Sequence, residues 1–159
     1  MLVSFTYESR SPEDTAHLAG KIAEHAFAGM LITLDGDLGA GKTAFSKAFA
    51  AAIGVKEVVN SPTFTLIKEY QGETFPLYHM DAYRLSLVEA DDLGLDDYFY
   101  GDGITLLEWA DQIEPILPPE RLEIRMEREE GDERWIILYP HGEAYLKLCN
   151  TLREDGVLQ

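Results

Sequence analysis

The sequence has a single cysteine and only four histidines among its 159 residues. One cysteine, Cys149, excludes an internal disulfide and a zinc site built from several cysteines. It stands among leucines at helical spacing, which predicts a buried structural thiol rather than a reactive one. The histidines, at positions 17, 25, 79 and 141, lack metal-ligand spacing such as H-E-x-x-H. We therefore expect no transition metal.

Long hydrophobic runs are also missing. Every apolar stretch is shorter than the about 18 residues that a membrane-spanning helix requires. The first residues, Met1–Phe5, have neither a basic leader nor a long apolar segment with a small-residue cleavage site, which together mark a secretory signal. We expect a cytoplasmic protein that does not contact a membrane.

Basic residues are scarce, since 13 Lys and Arg stand against 29 Asp and Glu and the net charge is −16. Such a charge repels polyanions unless a local cluster of basic residues opposes it, so we expect no DNA binding and no direct RNA binding. The segment Leu85–Pro119 contains nine acidic residues and no Lys or Arg. It is either a solvated acidic surface or a docking face for a basic partner protein.

The chain shows no internal repeat, low-complexity tract or proline- and serine-rich linker. Its length suits one domain of ordinary size, so we expect residues 1–159 to form a single domain. Hydrophobic periodicity and turn residues predict four elements in the first part of the chain. They are a strand at Leu2–Tyr7, a helix from the N-cap Ser11 to about Ala28, a buried strand at Met30–Leu34 and a helix at Thr43–Ile53.

The rest of the chain is predicted to be richer in strands. Thr63–Tyr70 and Thr74–Met80 are expected to pair as a hairpin around a Gln-Gly turn. The remaining predictions are a short helix at Ser86–Leu93, a buried strand at Ile104–Leu107, a helix at Trp109–Ile116 ended by Pro118 and Pro119, an antiparallel hairpin of Arg121–Glu127 with Trp135–Tyr139, and a helix at Glu143–Arg153. The pattern predicts an α/β fold with a mixed sheet.

A glycine-rich motif follows the strand at Met30–Leu34 and opens the next helix. Gly36, Gly41, Lys42 and Thr43 match G-x-x-x-x-G-K-[ST], the phosphate-binding loop, or P-loop, of nucleotide-binding proteins. Glycines let backbone N–H groups turn toward phosphate oxygens, and the helix presents the positive end of its dipole to the same anion. The expected fold is therefore a P-loop NTPase-like mixed sheet flanked by helices, a three-layer sandwich that ends in an antiparallel hairpin and a helix.

The motif predicts that ATP and Mg²⁺ bind to the loop and the helix start. The predicted nucleotide-binding residues there are Asp37, Leu38, Gly39, Ala40, Gly41, Lys42, Thr43 and Ala44. Lys42 is expected to reach the β- and γ-phosphates, and Thr43 to place its hydroxyl on Mg²⁺. A carboxylate at Asp37 would repel the phosphates if it faced them, so we assign Asp37 to loop geometry or to an indirect contact through Mg²⁺-bound water. The alternative for the whole motif is a glycine-rich turn without a ligand.

Two carboxylates at predicted strand ends complete the expected site. Asp81 follows the strand that ends at Met80 and is the best candidate for a second group on the metal side. Its alternative role is that of an acid that caps the turn after this strand. Glu108 follows Ile104–Leu107 and is expected to orient water against the γ-phosphate and to belong to the Mg²⁺ side. Its alternative role is that of an acid at the start of the next helix. Trp109 is expected to pack near the nucleotide or, equally, to anchor the core.

Four segments together resemble one protein family. Gly36–Thr43, Ser61–Leu66, His79–Leu85 and Leu107–Asp111 are similar in order and spacing to motifs of the TsaE (YjeE) family of small bacterial ATPases. The resemblance covers about residues 10 to 140. It implies that Thr63 lies in a switch-type loop and contacts the γ-phosphate side or Mg²⁺. It also implies that Glu108 and Trp109 are active-site residues.

The same resemblance implies a role in making N6-threonylcarbamoyladenosine at position 37 of tRNAs. The expected activity is ATP hydrolysis that supports two partner proteins, TsaB and TsaD, with tRNA met only through their complex. The acidic composition agrees with this expectation, because a strongly negative chain is poorly suited to hold tRNA directly.

Three other functions are alternatives at this point. A small-molecule kinase usually brings several arginines onto the phosphates, whereas Arg84 alone lies between Arg10 and Arg121. A small GTPase is disfavoured because an Asn-Lys-x-Asp motif is absent. A nucleotide-gated binding module would use its bound state to set the affinity for a partner, without essential hydrolysis.

Overall fold

The computed structural model describes residues 3–37, 39–62 and 66–159. Within these residues, seven strands form one mixed sheet in the order β1-β7-β6-β2-β5-β4-β3. The strands are β1 Phe5–Ser9, β2 Leu31–Gly36, β3 Ile67–Gln71, β4 Pro76–Asp81, β5 Ile104–Glu108, β6 Arg121–Arg128 and β7 Arg134–His141. The helices are α1 Pro12–Ala23, α2 Lys42–Ala52, α3 Leu87–Asp92, α4 Asp96–Phe99, a 3₁₀ helix at Ala110–Ile116 and α5 Glu143–Glu154.

Four parallel strands form the centre of the sheet. β2 lies between β5 and β6 and is parallel to both, and β4 is parallel to β5. The two predicted hairpins are confirmed, because β3 pairs with β4 and β6 pairs with β7 in antiparallel register. The carboxyl ends of the four parallel strands therefore share one edge, which brings together Gly36, Asp81, Glu108 and Arg128.

The sheet is covered on both faces, as the predicted three-layer sandwich requires. One face packs against α1, α2 and α5, whose core residues include Leu18, Phe49 and Leu148. The other packs against α3, α4 and the 3₁₀ helix, with Ala90, Phe99 and Ile113 among the buried residues. Every residue of β2 from Leu31 to Asp35 is buried, in agreement with a strand covered on both sides. No helix in the described ranges is long and apolar enough to cross a membrane.

Local sequence signals place several helix ends. The Ser11 side chain accepts a 3.1 Å hydrogen bond from the Asp14 backbone N–H and so caps α1. Ser86 and Glu89 form a reciprocal capping box at the start of α3. Gly54 follows α2 with φ +91°, a left-handed conformation that favours glycine and ends the helix as predicted.

Some predicted boundaries were wrong. The first helix ends at Ala23 rather than near Ala28, because His25 and Ala26 donate to carbonyls three residues back and tighten the chain into turns. The first strand reaches Ser9, which pairs with Arg134, and its predicted start, Leu2, lies outside the described residues. The helix α4 was not predicted, since four residues are too few to show a helical period.

The segment after β5 differs most from its prediction. It was expected to be a regular helix at Trp109–Ile116, but it is a 3₁₀ helix that begins at Ala110 and is kinked at Ile113. Pro115 explains the kink, because it lacks a backbone N–H and its ring crowds the preceding turn. Trp109 itself has φ +59°, which is uncommon for a bulky residue. The chain therefore turns sharply at the end of β5 before the helix starts.

Candidate phosphate-binding site

The P-loop connects β2 to α2 through backbone that only glycine accommodates easily. A Cβ atom on Gly36 would lie 2.3 Å from the Met126 carbonyl oxygen of the neighbouring strand. Gly39 and Gly41 have φ +81° and φ +107°, in the left-handed region. Gly41 immediately precedes α2, so the free N–H groups of the first turn of α2 face the loop. This backbone forms a cradle suited to an anion.

Lys42 lies folded over the loop. Its Nζ donates hydrogen bonds to the Gly36 carbonyl (2.6 Å) and the Asp37 carbonyl (2.9 Å). The same atom lies 4.0 Å from the centroid of the Trp109 ring, within the range of a cation–π contact. Burial lowers the pKa of Lys42 from its ordinary value, and Glu108 is the foremost carboxylate that opposes this shift. The ammonium is thus held at the cradle by carbonyls and a ring.

Glu108 has three side-chain partners at the site, Thr43, Ser46 and His79. Its Oε1 accepts a 3.1 Å hydrogen bond from the Thr43 hydroxyl. Its Oε2 lies 3.4 Å from the Ser46 hydroxyl, which donates to it, and 2.5 Å from His79 Nε2. Glu108 is only 2% exposed, so these partners compensate for removing the carboxylate from water. The contact with Thr43 joins the end of β5 to the first turn of α2.

Asp81 lies beside Glu108 at the ends of adjacent parallel strands, where the two residues are register partners. Its Oδ1 accepts a 2.8 Å hydrogen bond from the Tyr83 backbone N–H. This bond agrees with the turn-capping alternative for Asp81. The residue also lines the same cavity as Lys42 and Glu108, so capping and metal binding are compatible.

Trp109 stands at the wall of the site. The residue is half-buried, and its ring lies 4.7 Å from the ring of Tyr83 in a tilted arrangement. Its backbone N–H donates to the Leu34 carbonyl (2.9 Å), which ties the sharp turn after β5 to β2. Trp109 thus serves as one side of the cavity next to Lys42.

These groups surround a cavity of about 310 Å³. Its lining consists of Gly39, Gly41, Lys42, Thr43, Ala44, Ser61, Asp81, Glu108 and Trp109. Ala40, within the loop, is buried. The Asp37 side chain is exposed, and the Asp37 carbonyl accepts a hydrogen bond from Lys42. Leu38 and Thr63 lie outside the described residues. The structure therefore brings the remaining predicted site residues to one place.

Sequence reasoning missed three residues next to the site. His79 is fully buried on β4 and contacts Glu108. The single hydroxyl proton of Ser46 is shared between the Lys42 carbonyl at 3.0 Å and Glu108 Oε2 at 3.4 Å. Arg134, at the start of β7, donates to carbonyls of the P-loop. For Ser46 the signal was its spacing, because residues i and i+3 or i+4 share a helix face. For His79 it was a histidine within an otherwise apolar strand that leads to Asp81.

A third buried carboxylate, Asp35, lies behind the loop, on the opposite face of β2. Asp35 Oδ1 accepts a 3.0 Å hydrogen bond from the Asp111 backbone N–H. Arg125 makes a bidentate contact with Asp111, at 2.9 and 2.8 Å, and also donates to Glu123. Burial raises the pKa of Asp35 to about 6, despite the hydrogen bond from Asp111. This network fixes the start of the 3₁₀ helix against β2.

The buried strand, the glycine loop, the following helix and the mixed sheet define a P-loop NTPase-like α/β protein. A family model described as "Threonylcarbamoyl adenosine biosynthesis protein TsaE" matches residues 9–136. The chain belongs to the TsaE family of tRNA threonylcarbamoyladenosine biosynthesis proteins. This confirms the family resemblance of the four sequence segments.

Individual relatives agree with the family assignment. The tRNA threonylcarbamoyladenosine biosynthesis protein TsaE of Bacillus subtilis strain 168 is 51% identical over 148 residues, which cover 92% of this chain and 93% of that protein. The protein of the same name from Treponema pallidum is 41% identical over 111 residues, covering 69% of this chain and 82% of the relative. A crystal structure of Bacillus subtilis YdiB superposes with a TM-score of 0.86 at 44% identity and covers 98% of both chains.

Proposed function

We propose that this chain binds ATP with Mg²⁺ in the P-loop cavity and hydrolyses it to ADP and phosphate. The observation that carries the proposal is the convergence of Lys42, Thr43 and Glu108 on one glycine-shaped loop. A cation for phosphate oxygens, a hydroxyl for a metal ion and a buried carboxylate are the parts that phosphoryl transfer requires. A turn without a ligand would not require these three groups to meet around one cavity.

The loop and Lys42 would act on the phosphates by binding and orientation. Backbone N–H groups at the start of α2, with the positive end of its dipole, attract the anion. The ammonium of Lys42 already lies over the loop, and its two carbonyl partners are weaker acceptors than phosphate oxygens. Lys42 would therefore exchange these carbonyls for the β- and γ-phosphates and compensate the charge that develops during transfer.

The oxygen groups at the strand ends suit Mg²⁺. Thr43 supplies a hydroxyl, and Asp81 and Glu108 supply carboxylates, which are the hard oxygen ligands that this ion prefers. A bound Mg²⁺ would contribute neutralisation of phosphate charge. Thr63 is proposed to contact the γ-phosphate side or the ion as well, a role taken from the family resemblance.

Glu108 has two proposed roles. Its hydrogen bond with Thr43 supports a place on the Mg²⁺ side, next to the helix that receives the phosphates. Its other proposed role is to orient and deprotonate the attacking water, for which a buried carboxylate is chemically suited. His79 would hold the carboxylate in position from the opposite side. Trp109 would then shield the nucleotide side of the cavity from water.

The finer cellular role is also a proposal. We propose that ATP hydrolysis supports TsaB and TsaD in the modification, and that tRNA is met through their complex. Support comes from the charge of −16, which opposes direct tRNA binding. Further support comes from an acidic face on and beside α3 and α4. This face consists of the exposed residues Glu89, Asp91, Asp92, Asp96 and Asp97.

Two measurements on the purified protein test the proposed activity. Calorimetry with ATP and Mg²⁺ should give a saturable one-to-one isotherm, and phosphate release should be detectable and should rise with TsaB and TsaD. Omission of Mg²⁺ is the matched control and should abolish phosphate release. Binding without release, alone or with both partners, would favour a nucleotide-gated module, and phosphate transfer to an added small molecule would favour a kinase.

A further inference from the structure

Arg134 connects the C-terminal hairpin to the P-loop. Its Nε donates to the Ala40 carbonyl at 3.0 Å, and its Nη2 donates to the Gly39 carbonyl at 3.1 Å. Its Nη1 donates to the carbonyls of Gly131 and Glu133, both at 2.8 Å. One guanidinium therefore binds two carbonyls of the phosphate loop and two of the hairpin turn.

These bonds constrain the direction of the loop amides. In a trans peptide the C=O and the following N–H point in opposite directions. A Gly39 carbonyl held by Arg134 turns the Ala40 N–H away from it, and that N–H donates within the loop to the Asp37 carbonyl at 3.0 Å. An Ala40 carbonyl held by Arg134 likewise turns the Gly41 N–H away, and Gly41 lines the cavity.

The neighbouring arginine shows that charge alone is a poor explanation for this arrangement. Arg128 is the register partner of Arg134 on β6, and like charges directly opposite one another destabilise a sheet. Arg128 is exposed, and no side-chain hydrogen bond or ion pair of Arg128 is found among the described residues, although its Nη1 would lie 3.8 Å from a Cβ on Gly39. Arg134 differs from it by its contacts, since its planar fork spans adjacent carbonyls that a single ammonium cannot hold in the same way.

We propose that Arg134 is a positioning residue for the phosphate site. Its guanidinium fixes the Gly39–Ala40 and Ala40–Gly41 peptides with their N–H groups turned toward the inside of the loop. This inference rests on the proposed function, because the purpose of that orientation is to present the Gly41 N–H to the phosphates of ATP, while the Ala40 N–H closes the loop on the Asp37 carbonyl. Arg134 is not expected to touch the nucleotide itself.

Three variants distinguish the effect of the planar guanidinium of Arg134 from the effect of its positive charge. Arg134→Lys keeps the charge and removes the planar guanidinium, and Arg134→Ala removes both. Lys147→Ala removes one charge at an exposed position of α5 that does not line the cavity. Calorimetry should show ATP affinity weakened roughly tenfold to a hundredfold in both Arg134 variants, the scale for lost hydrogen bonds to a charged group. Lys147→Ala should stay within about threefold of the wild type, as expected for a surface charge. Thermal unfolding without nucleotide should confirm that all variants are folded.

Amide hydrogen exchange in the nucleotide-free protein tests the positioning independently. Peptides that cover residues 36–42 should exchange faster in Arg134→Lys and Arg134→Ala, and at the wild-type rate in Lys147→Ala. Unchanged exchange in both Arg134 variants, wild-type ATP affinity in Arg134→Lys, or an equal loss of affinity in Lys147→Ala would overturn the inference. A wild type that binds no ATP would overturn the proposed function instead, while faster loop exchange in the Arg134 variants would still support the positioning role.

Discussion

The Thr43 hydroxyl donates a 3.1 Å hydrogen bond to Glu108 Oε1, although the two residues are 65 positions apart in the chain. Thr43 belongs to the first turn of the helix that follows the P-loop, and Glu108 ends the neighbouring parallel strand. The bond therefore joins the phosphate side of the site to its carboxylate side. The proposed Mg²⁺ position and the proposed water-orienting group follow from this relationship.

Lys42→Ala should lower ATP hydrolysis roughly tenfold to a thousandfold, the scale for removing one contact to the transition state. The reason is that its ammonium lines the cavity and is hydrogen-bonded to the Gly36 and Asp37 carbonyls of the P-loop. Steady-state phosphate release measures the effect, and Lys47→Ala, an exposed lysine of the same helix, is the matched control. An unchanged rate in a folded Lys42→Ala protein would refute the assignment of the site.

Glu108→Gln should reduce kcat by about a hundredfold or more, while the affinity for ATP measured at saturating Mg²⁺ changes little. Glutamine keeps the shape but cannot accept a proton from water, a function that typically contributes 10²–10⁴-fold. Single-turnover rates and calorimetric affinities separate the two effects. Glu89→Gln, on the acidic face, is the control. Lost ATP binding with a normal kcat would mean that Glu108 binds the substrate and does not take part in the hydrolysis step.

His79 should matter through its contact with Glu108. His79→Gln keeps a side-chain N–H donor for the carboxylate, whereas His79→Leu keeps bulk and removes the donor. We expect His79→Leu to lower kcat roughly tenfold and to raise the Mg²⁺ concentration for half-maximal activity, with His79→Gln in between. Equal kcat and Mg²⁺ dependence in the two variants would leave His79 with a packing role only.

Asp35 should make the protein less stable at neutral pH than at mildly acidic pH. Its pKa is raised from 3.8 to about 6 in the folded protein. Between pH 3.8 and pH 6 the folded protein therefore binds a proton that the unfolded chain has released, so the free energy of unfolding falls as the pH rises through this range. Above pH 6 the stability of the protonated form is lost. Asp35→Asn keeps an oxygen for the Asp111 N–H and removes the titration. Asp111, Glu123 and Arg125 are the charged groups near it and are unchanged in the variant.

Urea unfolding of both proteins from pH 4 to pH 8 measures the Asp35 effect. The free energy of unfolding of Asp35→Asn relative to the wild type should rise by roughly 2 to 3 kcal/mol between pH 4 and pH 7, at 1.36 kcal/mol per pKa unit. A difference that does not vary with pH would mean that Asp35 titrates near its ordinary value. The difference between variants is used because other carboxylates titrate in the same range.

The acidic face should speed association with the TsaB–TsaD pair. Opposite charges across an interface mainly raise the association rate and make it sensitive to salt. Changing Asp91, Asp92, Asp96 and Asp97 to Asn should slow docking and flatten its salt dependence, while intrinsic ATP hydrolysis stays unchanged. Four exposed acids elsewhere, Glu13, Glu24, Glu154 and Asp155, provide a control with the same change of charge.

Surface binding over a range of salt concentrations measures this docking. Equal association rates and equal salt dependence for the acidic-face variant and the control variant, each with four substitutions, would mean that the acidic face is only a solvated surface. Tighter binding of the wild type to bare tRNA than to the TsaB–TsaD pair would reverse the proposed choice of partner.

The sequence predicted most of the architecture because its signals are local. The P-loop motif, the cap at Ser11 and the alternating β6–β7 hairpin each depend on neighbouring residues, and each is present in the structure. The kinked 3₁₀ helix was missed because Pro115 was not weighed against the helical pattern around it.

Contacts between distant segments of the chain could not be predicted from the sequence. Strand order decides that His79 meets Glu108 and that Arg134 meets Gly39, and no local pattern encodes that order. The hairpin therefore carried no visible motif, although it contributes a direct contact to the P-loop. Asp81 and Glu108 were found because the ends of parallel strands share one edge of a sheet.

A crystal structure with Mg²⁺ and a non-hydrolysable ATP analogue tests the central claim most directly. The account predicts phosphate oxygens within hydrogen-bonding distance of Lys42 Nζ and the Gly41 N–H, with the metal ion bound to the Thr43 hydroxyl. It also predicts that Arg134 still holds the Gly39 and Ala40 carbonyls from outside the loop. An analogue bound elsewhere would contradict the account. So would a complex in which Lys42 still donates to the Gly36 and Asp37 carbonyls and does not contact the phosphates.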